Sequence, residues 1–175
     1  MAKTEDKLIL LDADVLIHFF KGELLSILPS LYPKRLLIAD AVFNELTHKQ
    51  IKEEVTNLLN YKMISLYTIP PQLNLAILKE IAQIRKDIPT AGGGESICMA
   101  IAKYDNKIIA SSNIKDIKVY CNTNNIQYLT TMDILVEAYQ QKKLDETECD
   151  YFIYNVKSKG SKLPCDTIKE YLEKK

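Results

Sequence analysis

Asp12 and Asp14 stand where the apolar run Leu8-Ile9-Leu10-Leu11 stops, two carboxylates one residue apart at the end of a buried-strand pattern. A buried acid without a partner costs several kcal/mol or gives up its charge, so acids in such a place bind a cation, cap the next helix or pair with a base. Asp14 reads equally as the cap of a helix opening at Val15 and as a hydrogen-bonding member of a site, whereas Asp12 has no comparable structural role. Three further segments bring oxygen-bearing side chains: Glu45 in a helical stretch, Glu95 behind Gly92-Gly93-Gly94, and Asn113 with Asp116 after Ile108-Ile109-Ala110. Hard oxygen ligands from separate segments suit Mg²⁺ or Mn²⁺, which bind through a few carboxylates, water and a phosphate; the chemistry suggested is metal-assisted attack on a phosphodiester. Taken singly, Glu45 and Glu95 are ordinary solvated helix carboxylates, and the helix dipole favours an acid at position 95. Their chemical meaning depends on convergence with Asp12.

That convergence follows from the elements. Short continuous apolar runs at Leu8 to Leu11, Arg35 to Ala39, Met63 to Ile69, Lys107 to Ala110 and Ile126 to Leu129 have the character of strands covered on both faces. Between them the pattern predicts helices through Phe20, at Leu24 to Leu28, Ala41 to His48 with Asp40 as cap, Ile51 to Asn60, Leu73 to Lys86, Glu95 to Tyr104 and Lys115 to Cys121. The Leu73 to Lys86 segment has apolar residues at 73, 77, 78, 81 and 84, a 3.6-residue period. Helices near Met132 to Lys142, Glu146 to Ser158 and Asp166 to Lys174 follow, broken at Gly160 and Pro164. Strands alternating with helices predict an α/β fold with a parallel sheet and a helical tail. In such a sheet every helix after a strand starts at the carboxyl edge, which brings the acidic segments to one rim.

Composition narrows the alternatives. The chain has 175 residues, with 23 Lys and Arg against 23 Asp and Glu, so no bulk positive charge announces a nucleic-acid partner and any basic footprint must be local. Lys157-Ser158-Lys159-Gly160-Ser161-Lys162 is the one dense basic cluster. Cys98, Cys121, Cys149 and Cys165 form no close pairs and read as reduced buried thiols of a cytoplasmic protein. The first ten residues lack a signal-peptide pattern, and no stretch reaches the roughly 20 apolar residues of a membrane span. His18 and His48 read as structural or exposed, without the matched Ser or Cys of a hydrolase triad. Gly92-Gly93-Gly94 lacks the Lys-Ser or Lys-Thr ending of a P-loop and reads as a flexible loop leading into a helix.

Four segments, Leu11-Asp12-Ala13-Asp14-Val15-Leu16-Ile17, Val42-Phe43-Asn44-Glu45-Leu46, Gly94-Glu95-Ser96-Ile97-Cys98-Met99-Ala100 and Ile108-Ile109-Ala110-Ser111-Ser112-Asn113, resemble in order and spacing the four motifs of PIN domains. These are small metal-dependent nucleases, many of them the toxins of bacterial toxin–antitoxin pairs. The tail from Thr131-Met132-Asp133-Ile134 to the last helix is similar to the C-terminal part of a PIN-like subgroup of prokaryotic proteins. The resemblance implies a three-layer α/β/α fold with a parallel sheet of order 3-2-1-4-5 and Asp12 on the central strand. It also implies one PIN-like domain over residues 1–175, with an α/β core at 1–130 and a helical part at 131–175.

Its functional implication is a Mg²⁺- or Mn²⁺-dependent endoribonuclease acting on single-stranded RNA, with an antitoxin protein or a second copy of the chain as protein partners and no membrane partner. Asp12, Glu45 and Glu95 would be metal ligands, with Asp14 and Ser111 in support. At the fourth acid the family carries Ser or Thr, one residue, then Asp; this chain has Ser111-Ser112-Asn113. Asn113 can coordinate through its carbonyl oxygen but removes a negative charge, and Asp116, one turn on, either takes the acid's place or faces solvent. Two alternatives stand beside the nuclease. One is a catalytically weakened module that binds RNA or a protein. The other is a phosphatase of the haloacid dehalogenase type, whose active site also opens on Asp-x-Asp, although Asp12-Ala13-Asp14-Val15-Leu16 departs from that motif and no Gly-Asp follows.

Overall fold

The structure, a computed structural model, describes residues 7–174. Its centre is β1 (Ile9–Leu11), whose three residues are all fully buried, as befits a strand with helices on both faces. β1 pairs in parallel with β2 (Leu36–Ala39) on one side and β4 (Ile108–Ala110) on the other, Ile9 lying opposite both Leu36 and Ile108. β3 (Ser65–Tyr67) and β5 (Tyr128–Leu129) form the edges, giving an all-parallel sheet of order β3-β2-β1-β4-β5. The order expected from the resemblance is the order observed. The chain winds outward to β3, then crosses back to β4, so the reversal falls between β1 and β4. In open parallel sheets that reversal opens a crevice at the carboxyl ends of the strands.

The helices that cover the sheet also set the site. α1 (Ala13–Lys21) starts two residues after β1, α3 (Asp40–Glu45) follows β2 directly, α6 (Gly93–Asp105) precedes β4, and α7 (Ile114–Thr123) follows it. α2 (Ile27–Leu31), α4 (Lys49–Asn60) and α5 (Asn74–Asp87), the last led by a 3-10 turn at Pro71–Leu73, complete the α/β part. α8 (Thr131–Gln140), α9 (Glu146–Ser158) and α10 (Ile168–Lys174) follow β5. α9 packs on α1, where the Phe19 and Phe152 rings lie 4.9 Å apart and Gly22 leaves no room for a side chain against Phe152. Reciprocal capping boxes, Thr130 with Asp133 and Asp145 with Glu148, fix where α8 and α9 begin. All four cysteines are free and buried. No described helix is long and apolar enough to cross a membrane.

Several local expectations differ from the structure. Gly93 and Gly94 form the first turn of α6 and are not part of a loop. α3 stops at Glu45, where the buried Leu46 leaves helical geometry to reach the core; Asp40 is its first residue and Ala39 its cap. His48 is the N-cap residue of α4. In α5 only Ile77 and Ile84, two turns apart, are fully buried, while Leu78 is 55% exposed, because the helix meets its neighbours along a narrow stripe.

Candidate functional site

Asp12 occupies the junction between β1 and α1. Its backbone N–H donates to the Ala110 carbonyl at 2.9 Å, extending the β1–β4 ladder, and its Oδ1 accepts from the Ala13 N–H at 2.8 Å. Asp12 is thus the N-cap of α1, one of the two roles weighed for Asp14, because helical geometry begins at Ala13 and leaves only residue 12 in the junction. Asp14 sits in the first turn and turns toward β4. Its Oδ2 accepts from the Ser112 N–H at 2.7 Å and from the Ser111 hydroxyl at 3.3 Å, while its buried Oδ1 has no hydrogen-bond partner.

Glu95 and Asp116 face the same crevice from α6 and α7, each 6% exposed, as is Asp12. Asn113 joins them: its Nδ2 donates to Glu95 Oε2 at 3.2 Å and to Asp116 Oδ2 at 2.9 Å. The side-chain amide therefore presents its NH₂ to the acids rather than its carbonyl oxygen, as two acceptor carboxylates require. Asp116 is turned inward, with Oδ1 accepting from the Thr90 hydroxyl at 2.8 Å, and does not face solvent. Glu95 Oε1 is buried without a partner. Glu45, at the end of α3, is exposed, and its Oε1 accepts from the Gly94 N–H at 2.6 Å. A Cβ on Gly94 would lie 2.5 Å from Glu45 Oε2, so glycine at 94 permits this approach. Thr90 lies outside every motif, and Ser112 and Gly94, though inside the family segments, carry no sequence signal for these contacts.

The electrostatics follow from crowding. Burial, then the neighbouring Asp14 charge, pushes the Asp12 carboxyl up to about 7, with Glu45 adding a smaller increment. Burial, then Asp12, Asp116 and Asp14, pushes Glu95 up to about 8. Burial also raises Asp14. Among the described residues none of the hydrogen-bond partners of these acids is basic, and two buried oxygens, on Asp14 and Glu95, are unsatisfied. A divalent cation fits that deficit in charge and in donor type. Among the described residues no three His, Cys, Asp or Glu side chains are grouped to enclose a metal by themselves. The donor set therefore suits an ion such as Mg²⁺ that keeps several waters and uses one or two carboxylates, drawn from the buried Asp12, Glu95 and Asp116. Beside Glu45 opens a groove of about 740 Å³ whose lining includes Ile17, Phe20, His48, Ile51 and Lys159.

Residues 8–174 match the family DUF3368, a PIN domain. No curated protein matches in sequence. Among solved structures the chain is similar to FitAcB from Neisseria gonorrhoeae, at 15% identity and a TM-score of 0.45, over 71% of this chain and 98% of that one. With the family match running through every segment that contributes an acid to the crevice, the chain belongs to the PIN-domain family.

Proposed function

We propose that the chain is a divalent-cation-dependent endoribonuclease acting on single-stranded RNA. The observation that carries this reading is the burial of Asp12, Glu95 and Asp116 around one crevice, with Asp12 raised to about 7 and Glu95 to about 8. Evolution rarely keeps such a cluster in a core for stability, because each acid disfavours the charge of the next. Asp12 and Glu95 would hold Mg²⁺ or Mn²⁺, which supplies charge compensation at phosphorus and at the leaving oxygen. Asp14 fixes the loop after β4 through Ser111 and Ser112. Asn113 keeps Glu95 and Asp116 adjacent by placing donor protons between them. Glu45 stands at the exposed lip, where a substrate strand enters. Without a cation, burial and the neighbouring acids hold the Glu95 carboxyl well above its ordinary value.

The test is cleavage of a 5′-labelled single-stranded oligoribonucleotide with and without Mn²⁺. Cleavage that requires Mn²⁺ and disappears in Asp12→Asn supports the proposal; a wild-type chain that neither binds Mn²⁺ nor cuts sinks it. A second reading, a PIN-domain module that binds RNA or protein with little catalysis, is favoured by one observation: a neutral amide occupies the fourth acid's place. Retained RNA binding without cleavage at saturating Mn²⁺ would select it. A protein partner that restrains the nuclease, as an antitoxin does, belongs to the first reading, and the apolar-floored groove beside Glu45 offers it a seat next to the acids.

A further inference from the structure

We infer that His18 is a positioning residue for the loop between β4 and α7, acting through Thr131 and Ser112 on Asn113. The inference rests on the acid cluster being the functional site. His18 lies one turn after Asp14 on α1 and is 8% exposed. Its Nδ1 is 2.8 Å from the Thr131 hydroxyl, which is 2.6 Å from the Ser112 hydroxyl, and the Thr131 N–H donates to Ser112 Oγ at 3.0 Å. Ser112 is held from the other side too, its N–H donating to Asp14 Oδ2 at 2.7 Å. The next residue is Asn113. Two segments far apart in sequence, α1 and the start of α8, thus grip one residue of the loop that delivers the amide bridging Glu95 and Asp116.

In the proposed order the Ser112 hydroxyl donates to Thr131 Oγ1 and the Thr131 hydroxyl to His18 Nδ1, which leaves a neutral imidazole with its proton on Nε2. Burial, followed by the nearby Lys21 charge, lowers its pKa to about 4 and keeps it so. A histidine that only filled space would not need this tautomer, nor end a hydrogen-bonded chain one residue from the site. The capping box that starts α8 at Thr131 gives the device a fixed base, so the C-terminal helices take part in shaping the acid cluster.

The experiment compares Thr131→Val and His18→Phe, which break the chain, with Thr131→Ser and His18→Asn, which keep a hydroxyl and a δ-position acceptor. Nitrogen-15 NMR on the whole chain reads the His18 tautomer and the Ser112 and Asn113 amides; Mn²⁺ titration reads the site. Expected are an Nε2–H tautomer, displaced Ser112 and Asn113 resonances in the breaking variants, and Mn²⁺ affinity reduced about tenfold, the scale of outer-shell losses. Thr131→Ser should restore both. The double variant should be no weaker than the worse single one, since both act through one chain. Lowered melting temperatures with unmoved amides and unchanged Mn²⁺ affinity would overturn the inference and leave His18 a core filler. If His18→Phe does not fold, Thr131→Val decides. If the wild type binds no Mn²⁺, that result counts against the proposed nuclease, and the amide resonances alone decide the positioning role.

Discussion

The Glu45 carboxylate and the Gly94 backbone are fitted to each other: one oxygen accepts the Gly94 N–H at 2.6 Å, and a Cβ at position 94 would lie 2.5 Å from the other. Gly94→Ala must therefore expel Glu45 from the start of α6. The Glu45 carboxylate in the way can move, the fully buried Val42 must give slightly, and alanine is the better helix former by about 1 kcal/mol. The expected outcome is a melting temperature within about 4 °C of wild type together with weakened Mn²⁺ binding, read by thermal melts and titration. Wild-type affinity would show that Glu45 contributes nothing to the site.

Asn113→Asp should act in opposite directions with and without metal. It removes two donated hydrogen bonds, to Glu95 and Asp116, and adds a like charge between them. Bonds to charged groups are worth about 1.5–3 kcal/mol each, so the metal-free variant should melt at least about 4 °C below wild type. Millimolar Mn²⁺ should recover that loss and raise cleavage above wild type. A variant that melts lower and gains nothing from Mn²⁺ would show the amide to be the functional residue here.

Stability of the metal-free chain should rise as pH falls from above 8 to about 6.5. Asp12, raised to about 7, and Glu95, raised to about 8, bind protons in the folded state that the unfolded chain does not hold in this range. His18 works the other way below its unfolded value: lowered from 6.5 to about 4, it gives stability that is full above 6.5 and is lost as pH drops toward 4. Below pH 6.5 the rise should continue at a reduced slope, the His18 proton offsetting one of the two carboxyl protons. Saturating Mn²⁺ should abolish the rise, since a cation holds both carboxylates ionised. Melts across pH 5–9 with and without Mn²⁺ check it, and a metal-free optimum near pH 8 would contradict it.

Gly22→Ala should be among the most damaging single-methyl changes in this chain. The added carbon would meet the Phe152 ring at 2.1 Å. Ordinary overpacking costs about 1–3 kcal/mol, and here the ring is fully buried and already packed at a tilt against Phe19. Phe152→Ala should cost about 3–5 kcal/mol. In the double variant the clash is gone, so its melting temperature should fall short of the additive loss; strict additivity would place the damage of Gly22→Ala elsewhere.

The sheet order and the place of the crevice were legible because short apolar runs alternating with helical patterns leave few topologies, and the family motifs fix which. Side-chain partners were not. Whether Asp12 or Asp14 caps α1 turns on a single residue of junction, Leu11 ending the strand and Ala13 opening the helix. The glycines at 93 and 94 have poor helix propensity, so local reasoning puts them in a loop; the tertiary demand for Glu45 to approach overrides it. The amide of Asn113 turns its NH₂ inward because two acids face it, one of them, Asp116, placed by a Thr90 hydroxyl that carries no motif. His18 meets a partner 113 residues away, beyond any window a periodic pattern can read.

The spread of the gripping residues along the chain has a consequence for synthesis. Asp12 is synthesised well before the β4 strand that lies beside it from Ile108 and before Thr131, whose hydroxyl steadies Ser112. Parallel pairing between such distant segments forms late, because loop closure must come before any contact rewards it. A nascent chain therefore carries Asp12 and Glu45 without a pocket to put them in, and the acid cluster closes only after Thr131 has emerged.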